Sequence, residues 1–408
     1  MDRISGAMSL KGRRMTVRRL LGEKARALAR QYPVVTITGP RQSGKTTLAR
    51  DIFADMPYAN LERPDVRAFA IEDPLGFLAQ FPNGAVLDEI QRTPELFSYI
   101  QVQVDEAQRN GLFVLTGSQQ FNMLDRISQS LAGRTALLTL LPFSIDELRG
   151  NYGMPSLDAL MVNGFYPRIY EEKLDPSIAL GAYFETYVQR DVRQLLRVRD
   201  LSLFERFVRL CAGRVGQLFK LSSIADDTGI SHSTAREWVS ILEAGFVLFQ
   251  LKPFHKNIGK RLVKSPKLYF YDVGLATYLC GIESPGQMSV HPLRGSFFEN
   301  LIVVEALKYR FNDARRPNLM FYRDSNGNEV DLLYQGPRGL LPIEVKSGRT
   351  ISKSQFRGLS HFAKVESPLP YGACLVYGGD TKQSRSTVTV TTAFEFVSTL
   401  DKLLSDEH

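Results

Sequence analysis

The sequence predicts an α/β fold that opens with a parallel sheet, and three observations carry that reading. The β-branched run Pro33-Val34-Val35-Thr36-Ile37 leads into a glycine-containing loop. From Thr46 to Phe53 apolar residues fall at helical spacing, so a helix leads out of the loop. Two further buried-strand runs, Ala85 to Glu89 and Leu112 to Ser118, each end in polar residues. In a parallel sheet those carboxyl ends are where ligands collect.

The loop itself, Gly39-Pro40-Arg41-Gln42-Ser43-Gly44-Lys45-Thr46, fits the phosphate-loop pattern G-x-x-x-x-G-K-[ST] and is followed by Thr47. Gly39 and Gly44 permit backbone angles that turn successive N–H groups toward a phosphate chain. The helix N-terminus adds partial positive charge at the same point. Lys45 is placed to reach the β- and γ-phosphates of ATP, and the Thr46 hydroxyl to ligate Mg²⁺. This predicts a P-loop NTPase, with Gly39 to Thr47 holding the nucleotide.

Composition sets the frame. The chain has 408 residues, 44% hydrophobic and 23% charged, enough for two to four ordinary globular domains. No run approaches the roughly 20 apolar residues of a membrane-spanning helix. The N-terminus, with Arg3, Lys11, Arg13, Arg14, Arg18 and Arg19, lacks the apolar core of a signal peptide. Cys211, Cys280 and Cys374 form neither a disulfide framework nor a zinc spacing, which suits the cytoplasm. A net charge of +8 favours an acidic partner, nucleic acid first.

Taken in order, Val17 to Gln31 reads as a basic amphipathic helix whose arginines form a solvated face or a DNA contact. After the loop helix, Tyr58 to Glu62 is a second strand, and a helix resumes from Asp65 to Glu72. Ala85 to Glu89 ends in two carboxylates: Asp88 suits Mg²⁺ and Glu89 suits the attacking water. Thr116 and Ser118 end the next strand, where they sense the γ-phosphate or cap a helix over Gln119 to Gln129. Ser130 to Thr135 precedes the strand Ala136 to Leu140, and Arg134 there suits γ-phosphate charge in its own site or a neighbour's in a homo-oligomer.

The runs Gly39 to Thr47, Leu87-Asp88-Glu89-Ile90-Gln91-Arg92-Thr93-Pro94-Glu95-Leu96-Phe97, Leu115 to Ser118 and Ser130 to Arg134 resemble a family of prokaryotic AAA-type ATPases with a C-terminal domain of unknown function. Tyr187 to Asp191 and Pro342-Ile343-Glu344-Val345-Lys346 extend the resemblance over almost the whole chain. It implies ATP binding and hydrolysis, and no particular biological role.

The expected domains are 1–150 for the ATPase, 151–200 for a helical connector, 201–290 for a winged helix-turn-helix, and 291–408 for a restriction-endonuclease-like α/β domain. In the connector, Leu157 to Asn163 and Ser177 to Leu196 read as helices, the second bearing Arg190, Arg193 and Arg197 on one face. In the third segment, helices over Leu203 to Arg214, Ser222 to Gly229 and His232 to Ala244 precede a hairpin of Phe246 to Leu251 with Lys267 to Tyr271. Ala235, Trp238, Val239 and Leu242 form the core stripe of the third helix, leaving Arg236 outside to read a groove. From Lys252 to Lys267 the wing carries Lys252, Lys256, Lys260, Arg261, Lys264 and Lys267 and no acid, as a phosphate-backbone contact requires.

In the last segment a helix over Ser296 to Tyr309 precedes strands at Asn318 to Tyr322, Glu329 to Tyr334 and Leu341 to Lys346. Alternation puts Val330, Leu332 and Tyr334 on one face and Asp331 on the other. Asp331, with Glu344-x-Lys346 thirteen residues on, matches the PD-(D/E)xK nuclease pattern. Glu299 completes an acidic cluster for a second Mg²⁺, with Lys346 placed to activate a water. The alternative is a retained scaffold in which Lys346 neutralises the acids. The expected function is an ATP-driven machine acting on DNA. The competing readings are a nucleotide-dependent switch or scaffold for a protein partner, and an ATP-gated nuclease.

Overall fold

The computed structural model describes residues 17–118, 129–188, 201–254, 264–385 and 387–405. A helix over Leu21–Ala29 precedes β1 (Val34–Thr38), and the helix Lys45–Ile52 follows the phosphate loop. β2 (Tyr58–Asn60), β3 (Ala85–Asp88), β4 (Phe113–Gly117) and β5 (Thr135–Thr139) complete a sheet ordered β2-β3-β4-β1-β5. Every pairing in it is parallel. β1, β3 and β4 are buried along their whole length, because helices cover both faces of a parallel sheet. Leu87, Phe97, Phe113 and Leu115 pack on one face, and Leu21, Val35, Leu48 and Val114 on the other. The carboxyl ends of β1, β3 and β4 therefore meet at one edge, which carries the loop, Glu89 and Ser118.

Short helices over Ile145–Tyr152, Leu157–Asn163, Pro167–Glu171 and Pro176–Tyr183 follow. Helices over Leu201–Ala212, Leu221–Thr228 and His232–Ala244 then lead to the hairpin of β6 (Leu248–Pro253) and β7 (Lys267–Phe270). Ser231 caps the third of these helices by accepting the Thr234 N–H at 3.1 Å. Trp238 packs edge-on against Phe204 and Phe207, with ring centroids 5.3 Å away in each case. The stripe expected on this helix is the buried one.

The last segment holds the long helix Arg294–Asn312 and β8 (Leu319–Arg323), β9 (Glu329–Gly336), β10 (Gly339–Lys346), β11 (Ala373–Tyr377), β12 (Gln383–Arg385) and β13 (Val388–Thr392). With β6 and β7 these form one eight-stranded sheet, ordered β12-β13-β11-β10-β9-β8-β6-β7. β6 pairs with β7 through Leu248 to Leu251, then with β8 through Lys252 and Pro253. One apolar core accordingly runs from Leu141 through Trp238 and Leu332 to Leu400.

The alternation expected on β9 is broken. Met320 opposes Leu333 but Tyr322 opposes Val330, so β9 carries one extra residue against β8. Val330 packs in one cluster with Leu333, whereas Leu332 and Tyr334 pack in the other. Among the described residues no helix is long and apolar enough to cross a membrane.

Candidate active site

The phosphate loop is shaped by backbone constraints that its sequence predicts. Gly39 has φ 146°, and a Cβ there would lie 2.1 Å from the Leu140 carbonyl oxygen, so no side chain fits. Gly44, at φ 91°, caps the helix Lys45–Ile52 in the left-handed region that favours glycine. Lys45 is buried, and its ammonium donates to the loop's own carbonyls, Gly39 O at 3.0 Å and Pro40 O at 2.7 Å. Burial pushes its pKa down to about 8, against the attraction of Glu89 and Asp88.

Asp88 closes the other side. Its buried carboxylate accepts from the Thr46 hydroxyl at 2.9 and 3.0 Å, from the Tyr58 hydroxyl at 2.8 Å, and from the Thr116 hydroxyl. Thr116 thus orients Asp88 directly, and its Oγ1 also accepts the Glu89 N–H at 3.4 Å. Glu89 sits at φ 58°, a left-handed conformation for a non-glycine residue at the carboxyl edge of β3. Its carboxylate accepts from Gln91 Nε2, which also lies 3.4 Å from the Ser118 hydroxyl. Ser118 therefore contacts the Glu89 partner.

Lys45, Thr46, Thr47 and Glu89 line a cleft of about 470 Å³ shared with Arg19, Arg41, Phe143 and Arg168. The residues fit a nucleotide with Mg²⁺. The Ser43 hydroxyl is buried with no hydrogen-bond partner, Lys45 has used two of its three donors, and Thr46 stands beside the Asp88 carboxyl group. Ser43 and Lys45 would hold phosphate oxygens, and Thr46 with Asp88 the metal.

The second acidic cluster is brought together, but a cation of the protein fills it. Lys267, at the start of β7, is buried, with its ammonium 2.8 Å from Glu299 Oε1, 3.8 Å from Asp331 Oδ1, and in contact with Glu329. Lys346 lies 3.1 Å from Asp331 Oδ2 and 2.6 Å from Glu344 Oε1. Burial pushes the Glu344 carboxyl up to about 8, with Asp331 adding repulsion, and Glu299 up to about 7. Against the cost of burial, their anionic neighbours hold both lysines above the usual lysine range. Among the described residues no group of three or more His, Cys, Asp or Glu side chains is arranged to hold a metal ion. Glu299, Asp331, Glu344 and Lys346 converge as expected, and they do not fit a second Mg²⁺ while Lys267 stands among them.

Models of known families match three consecutive segments: an AAA domain over 31–149, a domain of unknown function (DUF8612) over 154–286, and a domain of unknown function (DUF4143) over 294–396. Over 342 residues the chain is 30% identical to the uncharacterized protein Rv2008c of Mycobacterium tuberculosis, covering 83% of this chain and 76% of that one. The uncharacterized protein Mb2031c of Mycobacterium bovis gives the same figures. The chain belongs to the AAA-type ATPases that carry a DUF4143 domain. Among solved structures, the Walker-type ATPase paby2304 of Pyrococcus abyssi aligns at a TM-score of 0.44 and 15% identity, over 64% of this chain and 94% of that one. AMPPCP-bound DnaA from Aquifex aeolicus aligns at 0.30 and 16%, over 55% and 86%. At those scores neither likeness bears on activity.

Three expectations for this DUF4143-bearing ATPase are corrected. Arg134 does not face its own phosphate loop. It precedes β5, whose Thr135 pairs with Val34 at the start of β1, so it lies at the opposite end of the sheet from Gly39. There it makes a bidentate pair with Asp105, at 2.6 and 2.8 Å. Lys267 is a buried charge partner and is withdrawn from the basic wing. Arg19 is neither a solvated residue nor a DNA contact: it is buried at the cleft, donating to Ser43 O and Leu141 O at 2.6 Å each. Of the DNA-facing candidates, Arg236 and Lys264 are exposed. Lys256, Lys260 and Arg261 lie outside the described residues, as do Arg190, Arg193, Arg197 and the helix expected over most of Gln119 to Gln129.

The site also recruits residues to which the motifs assign no role. Tyr58 and Gln91 orient the two acids, and Arg168 reaches the cleft from the helix Pro167–Glu171. Gln91 stands in the run Leu87 to Phe97 that carries the family resemblance, whereas Tyr58 is marked only by opening the strand beside β3.

Proposed function

We propose that this ATPase binds and hydrolyses ATP with Mg²⁺ at the Lys45–Thr46–Asp88–Glu89 site, and that hydrolysis drives a change in how the chain holds DNA. The observation that carries the reading is the Asp88 carboxylate, which accepts three hydroxyl hydrogen bonds beside the buried Lys45 and the half-buried Glu89. Bound Mg²⁺ supplies charge neutralisation on the phosphate oxygens. Lys45 exchanges its loop carbonyls for phosphate oxygens, and Thr46 supplies a hydroxyl lone pair on the metal side while donating to Asp88. Glu89, released from Gln91, accepts the proton of an attacking water. The positive charge that Arg134 cannot deliver in its own site falls to Arg168, which lines the cleft. Arg134 can act on a γ-phosphate only in a neighbouring copy of a homo-oligomer.

The DNA part rests on the +8 charge, on exposed Arg236 and Lys264, and on a helix-and-hairpin order that suits a winged helix. The last segment suits a nuclease-like fold kept as a scaffold, because Lys267 and Lys346 occupy its acidic centre. The test is ATP turnover with and without single-stranded, duplex and branched DNA. Stimulation by one of them supports the reading. Turnover indifferent to all three turns the assignment to the second reading, a nucleotide-dependent switch for a protein partner, which the buried pairs Arg19–Glu147 and Glu305–Lys308 between the phosphate loop and the C-terminal segment also favour.

A further inference from the structure

Arg19 begins a chain of buried polar contacts that leaves the nucleotide cleft and ends on the helix Arg294–Asn312. Its guanidinium holds the phosphate loop at Ser43 O and stacks over Phe143, 5.0 Å from the ring centroid. Its Nε donates to Glu147 at 3.0 Å. Glu147 in turn accepts the Leu20 N–H at 2.8 Å and the Ser144 N–H at 2.9 Å, which ties the start of the helix Ile145–Tyr152. The next N–H, that of Ile145, donates to Glu305 at 2.9 Å. Glu305 pairs with Lys308 at 2.7 Å, and Lys308 donates back to Phe143 O at 2.7 Å. Arg19 is buried at the wall of the cleft, and Glu147, Glu305 and Lys308 are buried behind it, where a lost partner is costly because water is not at hand to replace it.

The same helix grips the β6–β7 hairpin about 9 Å further along its axis, six residues toward its N-terminus. Asn300 accepts the Phe270 N–H at 2.7 Å and donates to Phe270 O at 3.0 Å, acting as a strand partner to the end of β7. Glu299 holds Lys267 at 2.8 Å and Tyr269 at 2.5 Å. One rigid element is therefore bonded to the phosphate-loop network near its middle and to β7 near its start.

We propose that Arg19 is a positioning residue through which the state of the phosphate loop is passed, by Glu147, Glu305 and Lys308, to the helix Arg294–Asn312 and on to the hairpin. The nucleotide site thereby sets the geometry of the hairpin. This rests on the reading that the loop binds nucleotide.

The test is hydrogen exchange of the full chain with Mg²⁺ and a non-hydrolysable ATP analogue. Peptides over 39–48 report binding, and peptides over 267–271 and 294–312 report the coupling. Both sets should slow, the second by about fivefold, the low end of ordinary coupling energies. The double variant Glu305→Met/Lys308→Met removes the link, including the acceptor of the Ile145 N–H, without leaving a lone charge. It should keep protection of the loop and lose the response of the helix and β7. Arg19→Met should lose that response, and Arg19→Lys should restore part of it. Loop protection with no change at 294–312 in the wild-type protein overturns the coupling even if no variant folds. A helix response that survives in the double variant overturns this route. No protection of the loop overturns the nucleotide reading and the coupling with it.

Discussion

The ammonium of Lys267 lies 2.8 Å from Glu299 Oε1, so a lysine from one end of the eight-stranded sheet stands among the carboxylates Glu299, Glu329 and Asp331. The first prediction concerns this pair. Lys267→Met leaves Glu299 buried without its cation and should cost roughly 3–5 kcal/mol, read as a lowered urea midpoint. The wild-type protein should not cut DNA with Mg²⁺ or Mn²⁺. Metal-dependent cleavage that disappears in Asp331→Ala would show that the centre is open and the scaffold reading wrong.

The second prediction uses pH. The Glu344 carboxyl, at about 8, and Glu299, at about 7, both stand above the ordinary 4.5. The folded chain therefore holds more protons than the unfolded chain between pH 4.5 and 8, so this stability is present below pH 4.5 and is lost as pH rises to 8. Thermal unfolding followed from pH 5 to 8 should show the decline, and Glu344→Gln, which mimics the protonated acid, should flatten it. An equal slope in the two proteins would place the titration elsewhere.

The third separates binding from turnover. Lys45→Ala removes the ammonium from the loop and should abolish nucleotide binding, measured by titration of a fluorescent ATP analogue. Glu89→Gln keeps the size of the side chain but not its basicity. It should retain the nucleotide while kcat falls by about 10² or more. Wild-type turnover in Glu89→Gln would remove Glu89 from the mechanism.

Arg134 and Arg168 make a fourth, paired case. Arg134→Ala should leave turnover within about twofold, since the residue is tied to Asp105 at the far end of the sheet, whereas an arginine acting on the γ-phosphate is worth about 10³ or more. Arg168→Ala should lower kcat/KM. If Arg134→Ala is dead but regains activity when mixed with Lys45→Ala protein, a neighbouring copy supplies the arginine.

The fifth concerns the wing. Neutralising Lys256, Lys260, Arg261 and Lys264 together should weaken DNA binding and flatten the dependence of log affinity on log salt, by roughly 0.9 for each phosphate that the wing no longer neutralises. An unchanged slope would take the wing off the DNA path.

What was legible in the sequence was local. The phosphate loop could be read because it needs glycine at Gly39, where a Cβ would strike Leu140, and at Gly44, where φ is 91°. Asp88 and Glu89 could be read because a buried apolar strand that ends in two acids, behind a phosphate loop, supplies the pair that Mg²⁺-dependent phosphoryl transfer calls for. The helices around Trp238 and the β8–β9–β10 run followed from period and turn residues. The convergence of Asp331 with Glu344 was legible because their strands are joined by a short turn, and β9 pairs with β10 through Leu332 and Ile343, the residues next to each acid.

Only the tertiary structure decided which charges are free and which are taken. Arg134 and the loop are both sheet-edge residues by sequence, but the β1–β5 register puts them at opposite ends. Lys267 looks like one more lysine of a basic wing until the pairing of β6 with β8 carries its hairpin into the C-terminal sheet. Arg19 looks solvated until Leu141, Ser43 and Glu147, distant in sequence, close around it. The physical reason is the same in each case. Backbone period and turn chemistry act over a few residues and leave a pattern in the chain. The partner of a buried charge is chosen by desolvation and packing across elements far apart in sequence, and that choice leaves no local mark.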